Sequence, residues 1–277
     1  MRRAPNTLHV VPELPEVESV RRQLEPALVG RKIVETWCDP IPTMPREFVD
    51  VARAEGHTVR TLGRRGKFML ARLDDELELV LHLGMTGSFR FDLDDAHVRA
   101  RLFLDDGRVL SFRDPRRFGR IAVVPAGAYG SIPSLAALGP EPLSDEFDPG
   151  AFAARLAATR APVKAYLLSG RPVAGVGNIY ADESLWQARI HPASRRVGRS
   201  RAFALHAAIR DVLTAAVERE GTTFRDYRMV NGASGRNASF LVAYGRAGAP
   251  CPRCGTPLRK IVLAGRGTTY CPRCQRP

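Results

Sequence analysis

Alternating apolar and polar positions occupy the first half of the chain, after a short helical stretch. Seven segments there are short and rich in β-branched or aromatic residues, and clusters of Gly, Asp and Pro separate them. The segments are residues 32–37, 57–62, 67–73, 77–82, 99–104, 109–112 and 120–124. Many short strands at close spacing predict a β-sandwich or a barrel.

The helical stretch precedes these strands. Residues 11–18 read VPELPEVE, and apolar side chains then recur at helical spacing until Gly30. Pro15 suits the first turn of a helix, and acidic side chains suit the positive end of the helix dipole. An ordinary helix start therefore accounts for this stretch when it is taken alone.

The second half changes to a helical period after a hinge rich in proline and glycine at residues 138–145. Helices are predicted at residues 152–158, 163–169, 181–188 and 200–220. The change of period from 2 to 3.6 indicates a second domain. Between two of these helices, the glycine-rich residues 173–178 offer backbone N–H groups to an anion. No strand leads into this turn, which excludes a dinucleotide-binding fingerprint.

Two cysteine pairs near the C-terminus form the most specific chemical pattern. Both pairs have CxxC spacing, and the four residues are Cys251, Cys254, Cys271 and Cys274. This spacing predicts tetrahedral ligation of one structural zinc ion, with no open position for a substrate. Thiol–disulfide exchange is the alternative, against which two matched pairs on short ribbons argue. A β-hairpin is predicted between the pairs with residues 265–267 at its tip, where Arg266 either contacts phosphate or is a solvated turn residue.

The charge balance indicates a polyanionic partner. The net charge is +13, and only four of the 42 basic residues are lysines. A genome that favours arginine over lysine explains why most of the basic residues are arginines. It does not explain the net excess of positive charge. Each phosphate that a protein cation neutralises releases counterions, so a nucleic acid fits this balance.

Neither a signal peptide nor a membrane span is predicted. Residues 1–11 lack an apolar core of sufficient length, and six prolines or glycines interrupt the uncharged residues 121–140. Cysteines used for a metal rather than for disulfides indicate a reducing cytoplasm. The remaining cysteine, Cys38, is expected to be a buried apolar residue.

Three loops of the strand-rich half carry candidate binding residues. Lys67 closes a basic turn around Gly66, Met85 lies between glycines, and Arg116 and Phe118 lie on a tight turn. A glycine lets the backbone approach a phosphate, and an exposed apolar wedge can hold a base stack open. Core packing is the alternative for Met85 and Phe118, and simple solvation is the alternative for the basic turn.

The PELPEVE stretch resembles the opening of the bacterial formamidopyrimidine-DNA glycosylases, and the other motifs follow in the family's order over residues 11–277. The resemblance implies an α+β multidomain fold with an N-terminal β-sandwich and its leading helix, a helix–two-turn–helix domain and a C-terminal zinc-ribbon β-hairpin. The expected divisions are the catalytic domain at 12–135, a linker at 136–149, the DNA-binding domain at 150–230, a lesion-capping loop and connection at 231–244 and the zinc finger at 245–277.

The resemblance also implies roles for individual residues. Its catalytic residues correspond to Pro12, Glu13, Glu16, Lys67 and Arg266. Pro12 supplies the nucleophilic amine, Glu13 is the acid, Glu16 stabilises the site, Lys67 assists at the lesion and Arg266 is linked to the second elimination. Contacts with DNA are expected from Met85, His97, Arg116, Phe118, Arg160 and Asn178. By charge alone, a further phosphate contact is expected from Lys164.

One departure from the family concerns the nucleophile. A proline inside a chain has no amine, and eleven residues precede Pro12 here. Val11 stands where the family has its initiator methionine, and a GTG codon is read as valine internally and as methionine at a start. Residues 1–11 are therefore expected to be an extension that the mature protein lacks.

The expected function is that of a bifunctional DNA glycosylase/AP lyase of bacterial base excision repair. Its partner is double-stranded DNA with oxidised purines or abasic sites, and it is expected to be a nucleoid-associated, cytoplasmic monomer with one Zn2+ and no redox or nucleotide cofactor. A non-catalytic damaged-DNA-binding protein is the alternative if Pro12 is blocked. An oxidised-pyrimidine glycosylase is the other alternative, and Leu14 with the loop residues favours the purine branch.

Overall fold

The computed structural model describes residues 11–40, 47–224 and 227–276, so the predicted extension lies outside the described residues except for Val11. Contacts group the chain into two units. The first contains the chain up to Ile132 together with Arg219–Ala238, and the second contains Pro133–Glu218 together with the chain from Ser239. Each unit has its own architecture.

The first unit begins with helix α1, Leu14–Leu28. The backbone N–H of Glu13 donates to the carboxylate of Glu16 at 2.9 Å, which satisfies a donor at the helix start. One face of α1 is apolar, because five buried aliphatic side chains recur at helical spacing. These are Leu14, Val17, Val20, Leu24 and Leu28.

Among the described residues of this unit, nine strands form two sheets. They are β1 Ile33–Cys38, β2 Phe48–Val49, β3 Val59–Arg65, β4 Phe68–Leu73, β5 Leu77–His82, β6 Ser88–Phe91, β7 Val98–Leu104, β8 Val109–Arg113 and β9 Arg120–Pro125. One sheet has the order β2-β9-β5-β4-β3, and the other has the order β1-β7-β8-β6. Side chains of both sheets and of α1 share one apolar core, so the predicted β-sandwich with its leading helix is confirmed.

The β5–β6 and β8–β9 connections run side by side from one sheet to the other. Strand β5 leads to β6, and β8 leads back to β9. The connections meet because β5 pairs with β9, with His82 opposite Arg120, and β6 pairs with β8, with Ser88 opposite Arg113. Sheet pairing therefore brings together two loops that are about thirty residues apart in sequence.

The seven predicted strands are present, and two further short strands were not predicted. Strand β2 has only two residues, and β6 follows directly on a glycine-rich turn. Neither segment is long enough to show a clear period of two. A short 3-10 turn, Val51–Ala54, also lies between β2 and β3.

The second unit is helical. Its helices are α2 Pro133–Ala136, α3 Pro149–Ala157, α4 Val163–Leu168, α5 Asn178–Gln187 and α6 Arg199–Glu218. Asp148 caps α3 by accepting the Ala151 N–H at 2.7 Å, and Pro149 occupies the first turn. Helix α5 begins three residues earlier than predicted, because the extended residue Gly177 caps it directly. No helix of the described residues is long and apolar enough to cross a membrane.

A two-stranded hairpin completes this unit with β10 Arg259–Leu263 and β11 Arg266–Tyr270. Leu263 pairs with Arg266, and both turn residues, Ala264 and Gly265, have positive φ. Such a two-residue turn matches the twist of the strands. The tip therefore lies at 264–265 rather than at 265–267, and Arg266 is the first residue of β11.

Candidate active site and metal centre

Pro12 and Glu13 are buried directly before α1, and Glu16 lies one turn into the helix. Glu16 is 0% exposed, and its second carboxylate oxygen accepts the Thr222 N–H at 2.6 Å. The Tyr227 hydroxyl donates to the Glu16 carbonyl at 3.1 Å, and burial together with the nearby Glu16 charge raises the pKa of Tyr227. The start of α1 is thus bound to Thr222 and Tyr227 within the first unit.

Lys67 lies in the turn between β3 and β4, where Gly66 has φ 57°. Burial and, after it, the Lys67 charge lower the pKa of His82 to about 4. The His82 ring packs against Phe68 with centroids 4.5 Å apart, and its Nδ1 accepts the Gly84 N–H at 3.2 Å. At neutral pH His82 is therefore an uncharged acceptor that orders the start of the following loop.

Met85 lies in one crossover loop, and Arg116 and Phe118 lie in the other. Phe118 is 42% exposed, and the Arg116 guanidinium lies over its ring at 5.1 Å. Met85 is half-buried. His97 is also exposed, and its backbone N–H donates to Asp95 at 2.7 Å.

Asp114 is a buried residue of these loops that was not singled out from the sequence. It is 0% exposed and accepts hydrogen bonds from Thr86 and from the backbone of the loop that carries Phe118. The sequence could have indicated this role, because Asp114 is the first residue of a turn. An Asp at that position commonly accepts a hydrogen bond from the backbone two residues later.

Asn178, Arg160 and Arg266 belong to the second unit. Asn178 is the first residue of α5, and its Nδ2 donates to the Gly267 carbonyl at 3.2 Å. Its Oδ1 is buried and has no hydrogen-bond partner among the described residues. Arg160 and Arg266 are exposed. Exposed guanidinium groups bind phosphate, and so do the backbone N–H groups at the start of a helix.

Lys164 does not fit the phosphate contact that its charge suggested. Its side chain is 0% exposed, and Nζ donates to Asp182 at 2.6 Å and to the Thr268 hydroxyl at 2.8 Å. Asp182 also accepts the Thr269 N–H at 2.8 Å. Burial raises the pKa of Asp182 to about 7, although the Lys164 charge acts in the opposite direction. The ion pair therefore joins α4, α5 and β11.

The four cysteines converge at the base of the β10–β11 hairpin. All four Sγ atoms lie within 4.8 Å of one another, and those of Cys254 and Cys271 are 3.5 Å apart. Thiolates at the usual Zn–S distance of ~2.3 Å in a tetrahedron are ~3.8 Å apart, so this cluster fits one structural zinc ion.

The residues around the cysteines hold the cluster against α5. The Arg253 guanidinium stacks on the Trp186 ring at 3.8 Å and donates to the Gln187 carbonyl at 3.0 Å, at the C-terminal end of α5. Gln275 accepts the Cys271 N–H at 2.7 Å and donates to the Ile190 carbonyl at 2.9 Å. These bonds fix the knuckles from outside the ligand set.

Three sequence profiles match the chain in succession. The profile of the formamidopyrimidine-DNA glycosylase N-terminal domain matches residues 11–121. The profile of the H2TH domain of the same enzymes matches residues 138–228, and that of the zinc finger found in FPG and IleRS matches residues 248–277.

Individual relatives agree with these profiles. A formamidopyrimidine-DNA glycosylase of Deinococcus radiodurans is 49% identical, covering 93% of this chain and 95% of its own. The crystal structure of the FPG protein of Thermus thermophilus is 46% identical, with a TM-score of 0.90 over 95% of this chain and 98% of its own. A Lactococcus lactis FPG variant bound to Fapy-dG-containing DNA is 35% identical, with a TM-score of 0.85 over 96% of this chain and 100% of its own.

A β-sandwich, a helix–two-turn–helix unit and a four-cysteine zinc ribbon define a class of DNA-repair glycosylases. Within that class, the chain belongs to the formamidopyrimidine-DNA glycosylase family. It is a DNA glycosylase of base excision repair with the AP lyase activity that is typical of this family, and its zinc is structural. The curated relatives are bacterial.

Proposed function

We propose that this glycosylase removes oxidised purines, such as 8-oxoguanine and formamidopyrimidines, from double-stranded DNA with Pro12 as its nucleophile. The observation that carries the proposal is the position of Pro12 and Glu13. They lie side by side, buried at the start of α1, and the N-terminal profile of the family begins one residue earlier, at Val11. Solved relatives hold DNA with Fapy-dG or with an abasic site, which supports the substrate class.

The chemistry requires a free amine on Pro12. Its nitrogen attacks C1′ as the bond to the damaged base breaks, the base leaves with a proton, and Glu13 protonates the sugar oxygen as the ring opens. The resulting iminium ion withdraws electrons, so C2′ loses a proton and the 3′ phosphate leaves. A second elimination expels the 5′ phosphate, and water then releases the enzyme. An α-amino group with a pKa of about 8 is more often unprotonated near neutrality than a lysine.

The other predicted residues take roles in holding the DNA. Met85, Arg116 and Phe118 enter the gap that the everted base leaves, since an enzyme acting on a base must take it out of the stack. Contacts with the phosphate backbone come from Lys67, Arg160 and Asn178. His97 also contacts the DNA, and Arg266 grips phosphate and assists the second elimination. Glu16 supports the site through its bonds to Glu13 and Thr222 rather than by touching the substrate.

The remaining proposals concern organisation. We place the working boundaries at residues 12–135, 150–230 and 245–277, with 136–149 as linker and 231–244 as the lesion-capping loop and its connection. The protein acts as a monomer on the nucleoid, in the bacterial cytoplasm. These proposals follow from the motif positions and from the DNA that the reaction needs.

The decisive test is the terminus of the protein made from its native gene, measured by intact mass and N-terminal sequencing. We expect a chain that begins at Pro12, and borohydride treatment should link it covalently to duplex DNA that carries 8-oxoguanine. A chain that begins at Met1 and forms no adduct would leave DNA binding without catalysis as the function.

A matched variant separates the two chemical steps. Glu13→Gln removes the acid and keeps the size of the side chain, so base excision should fall by about 10²-fold or more. Trapping on a preformed abasic site should persist, because its sugar already opens to an aldehyde without the acid. Faster excision of an oxidised pyrimidine than of 8-oxoguanine by the unmodified protein would overturn the substrate assignment.

A further inference from the structure

The two crossover loops are joined by a buried carboxylate. The 83–87 loop links β5 to β6, and the 114–119 loop links β8 to β9. The Thr86 hydroxyl donates to Asp114 Oδ1 at 2.5 Å, and the Gly119 N–H donates to Asp114 Oδ2 at 2.7 Å. One side chain, 0% exposed, thus binds the first loop with one oxygen and the far end of the second loop with the other.

The backbone between these bonds is tied to the same pair of side chains. The Arg116 N–H lies 3.3 Å from both the Thr86 hydroxyl oxygen and Asp114 Oδ1. The Asp114 carbonyl accepts the Arg117 N–H at 3.3 Å and the Arg99 side chain at 3.2 Å. The residue that carries the exposed guanidinium is therefore held at its backbone, while its side chain lies over the Phe118 ring at 5.1 Å.

The two loops also touch through their backbones. A Cβ on Gly84 would lie 2.4 Å from the Phe118 carbonyl carbon and 2.5 Å from the Gly119 nitrogen. Gly84 has φ 64°, a conformation that favours glycine in its own right. The first loop can approach Phe118 this closely only because residue 84 has no side chain.

We propose that Thr86 and Asp114 are positioning residues that join the two loops into one rigid wedge. This inference rests on the proposed roles of Met85, Arg116 and Phe118 in the DNA. The three side chains come from two loops, so each loop alone could place only part of the wedge. A buried carboxylate that accepts hydrogen bonds from both loops makes the loops move together. The two loops are therefore ordered once, during folding, rather than at each encounter with DNA.

Thr86→Val tests this directly, because it keeps the shape of the side chain and removes the hydroxyl. With the Pro12-initiated protein, we expect about a tenfold loss of kcat/KM on duplex 8-oxoguanine substrate, the size of one hydrogen bond to a charged group. 2-Aminopurine placed next to the lesion should report slower and smaller unstacking. Cleavage of an abasic site in single-stranded DNA should change less than twofold, since no stack has to be opened there.

Two further variants make the result specific. Thr86→Ser keeps the hydroxyl and should restore duplex activity. Thr36→Val is the control for the loss of a threonine hydroxyl bond elsewhere in the same unit, because Thr36 on β1 donates to the Glu55 carboxylate at 2.8 Å and lies in neither loop. This bond is exposed, so the variant should lose less stability than Thr86→Val, and it should lose no duplex activity.

The outcomes separate this inference from the function beneath it. If the unmodified protein forms no borohydride adduct, the proposed function fails first. If it does form one and Thr86→Val matches it on duplex DNA, the positioning role is wrong. Equal losses on duplex and single-stranded substrates would also overturn the role, because they would indicate a general structural defect.

Discussion

At the scale of single residues, Gly221 shows how closely the chain fits around Glu16. Gly221 has φ 80°, and a Cβ there would lie 2.7 Å from Glu16 Oε1. That oxygen accepts the Thr222 N–H, so the glycine allows the segment to reach a buried carboxylate. The absence of one side chain here places a distant segment beside the start of α1.

Gly221→Ala is therefore expected to destabilise the protein more than an ordinary glycine substitution. Gly56 is the matched control, because its φ is 83° and nothing lies within 4 Å of the position that a Cβ would take. Gly56→Ala should cost about 1 kcal/mol of unfolding free energy through the backbone alone. Gly221→Ala should cost about 3 kcal/mol, since the Glu16 bond is also disturbed. Urea titrations measure the unfolding free energy of both variants. Equal losses would show that the Glu16 side chain moves aside without cost.

At the scale of elements, the ion pair of Lys164 and Asp182 connects two helices to the zinc ribbon. Lys164 lies on α4, Asp182 lies on α5, and both bond residues of β11, at Thr268 and Thr269. Arg266 begins the same strand. The position of an exposed cation on the hairpin thus depends on a buried pair, which costs much more to break than an exposed one.

Lys164→Met should destabilise the second unit by about 3 kcal/mol or more, because Asp182 is left buried without its cation. The double variant with Asp182→Asn should be more stable than the single one, since the lone charge is gone and the amide oxygen still accepts the Thr269 N–H. Thermal unfolding with zinc present gives the order, and hydrogen exchange at Thr269 locates the loss. A double variant less stable than Lys164→Met would contradict the assignment.

At the scale of the whole molecule, the net charge of +13 governs the encounter with DNA. Phosphate contacts release counterions, so affinity falls steeply with salt, whereas a charge that faces away from DNA adds little to that slope. Total charge alone does not distinguish the arginines that touch phosphate from those that keep the protein in solution.

Two substitutions with the same change in charge separate these cases. Arg160→Gln should reduce the slope of log affinity against log salt by about 1, as expected for one lost phosphate contact. Arg53→Gln removes an exposed arginine that is 3.8 Å from Asp50, and it should leave the slope unchanged. Fluorescence anisotropy with a duplex that carries an uncleavable abasic analogue measures both. Equal slopes for the two variants would remove Arg160 from the interface.

The zinc cluster, the strand periods and the presence of the longer helices could be predicted from the sequence, because each depends on nearby residues. CxxC spacing presents two thiolates on one turn, and alternation, prolines and caps act within a few positions. The short strand β6 could not be predicted from its own four residues, because it forms by pairing with β8. The parts of the fold that depend on neighbouring residues could therefore be predicted from the sequence.

Only the tertiary structure decided which side chains are buried and which loops meet. Lys164 has the charge of a phosphate contact, yet its 0% exposure makes it an internal ion pair. Asp114 and Thr86 are 28 positions apart, and they meet because the β5–β6 and β8–β9 connections pass between the sheets at the same place. The sequence by itself determined the local elements, the metal ligands and the overall charge. Burial and long-range pairing depend on the whole folded chain, so they determined the partners of its polar groups.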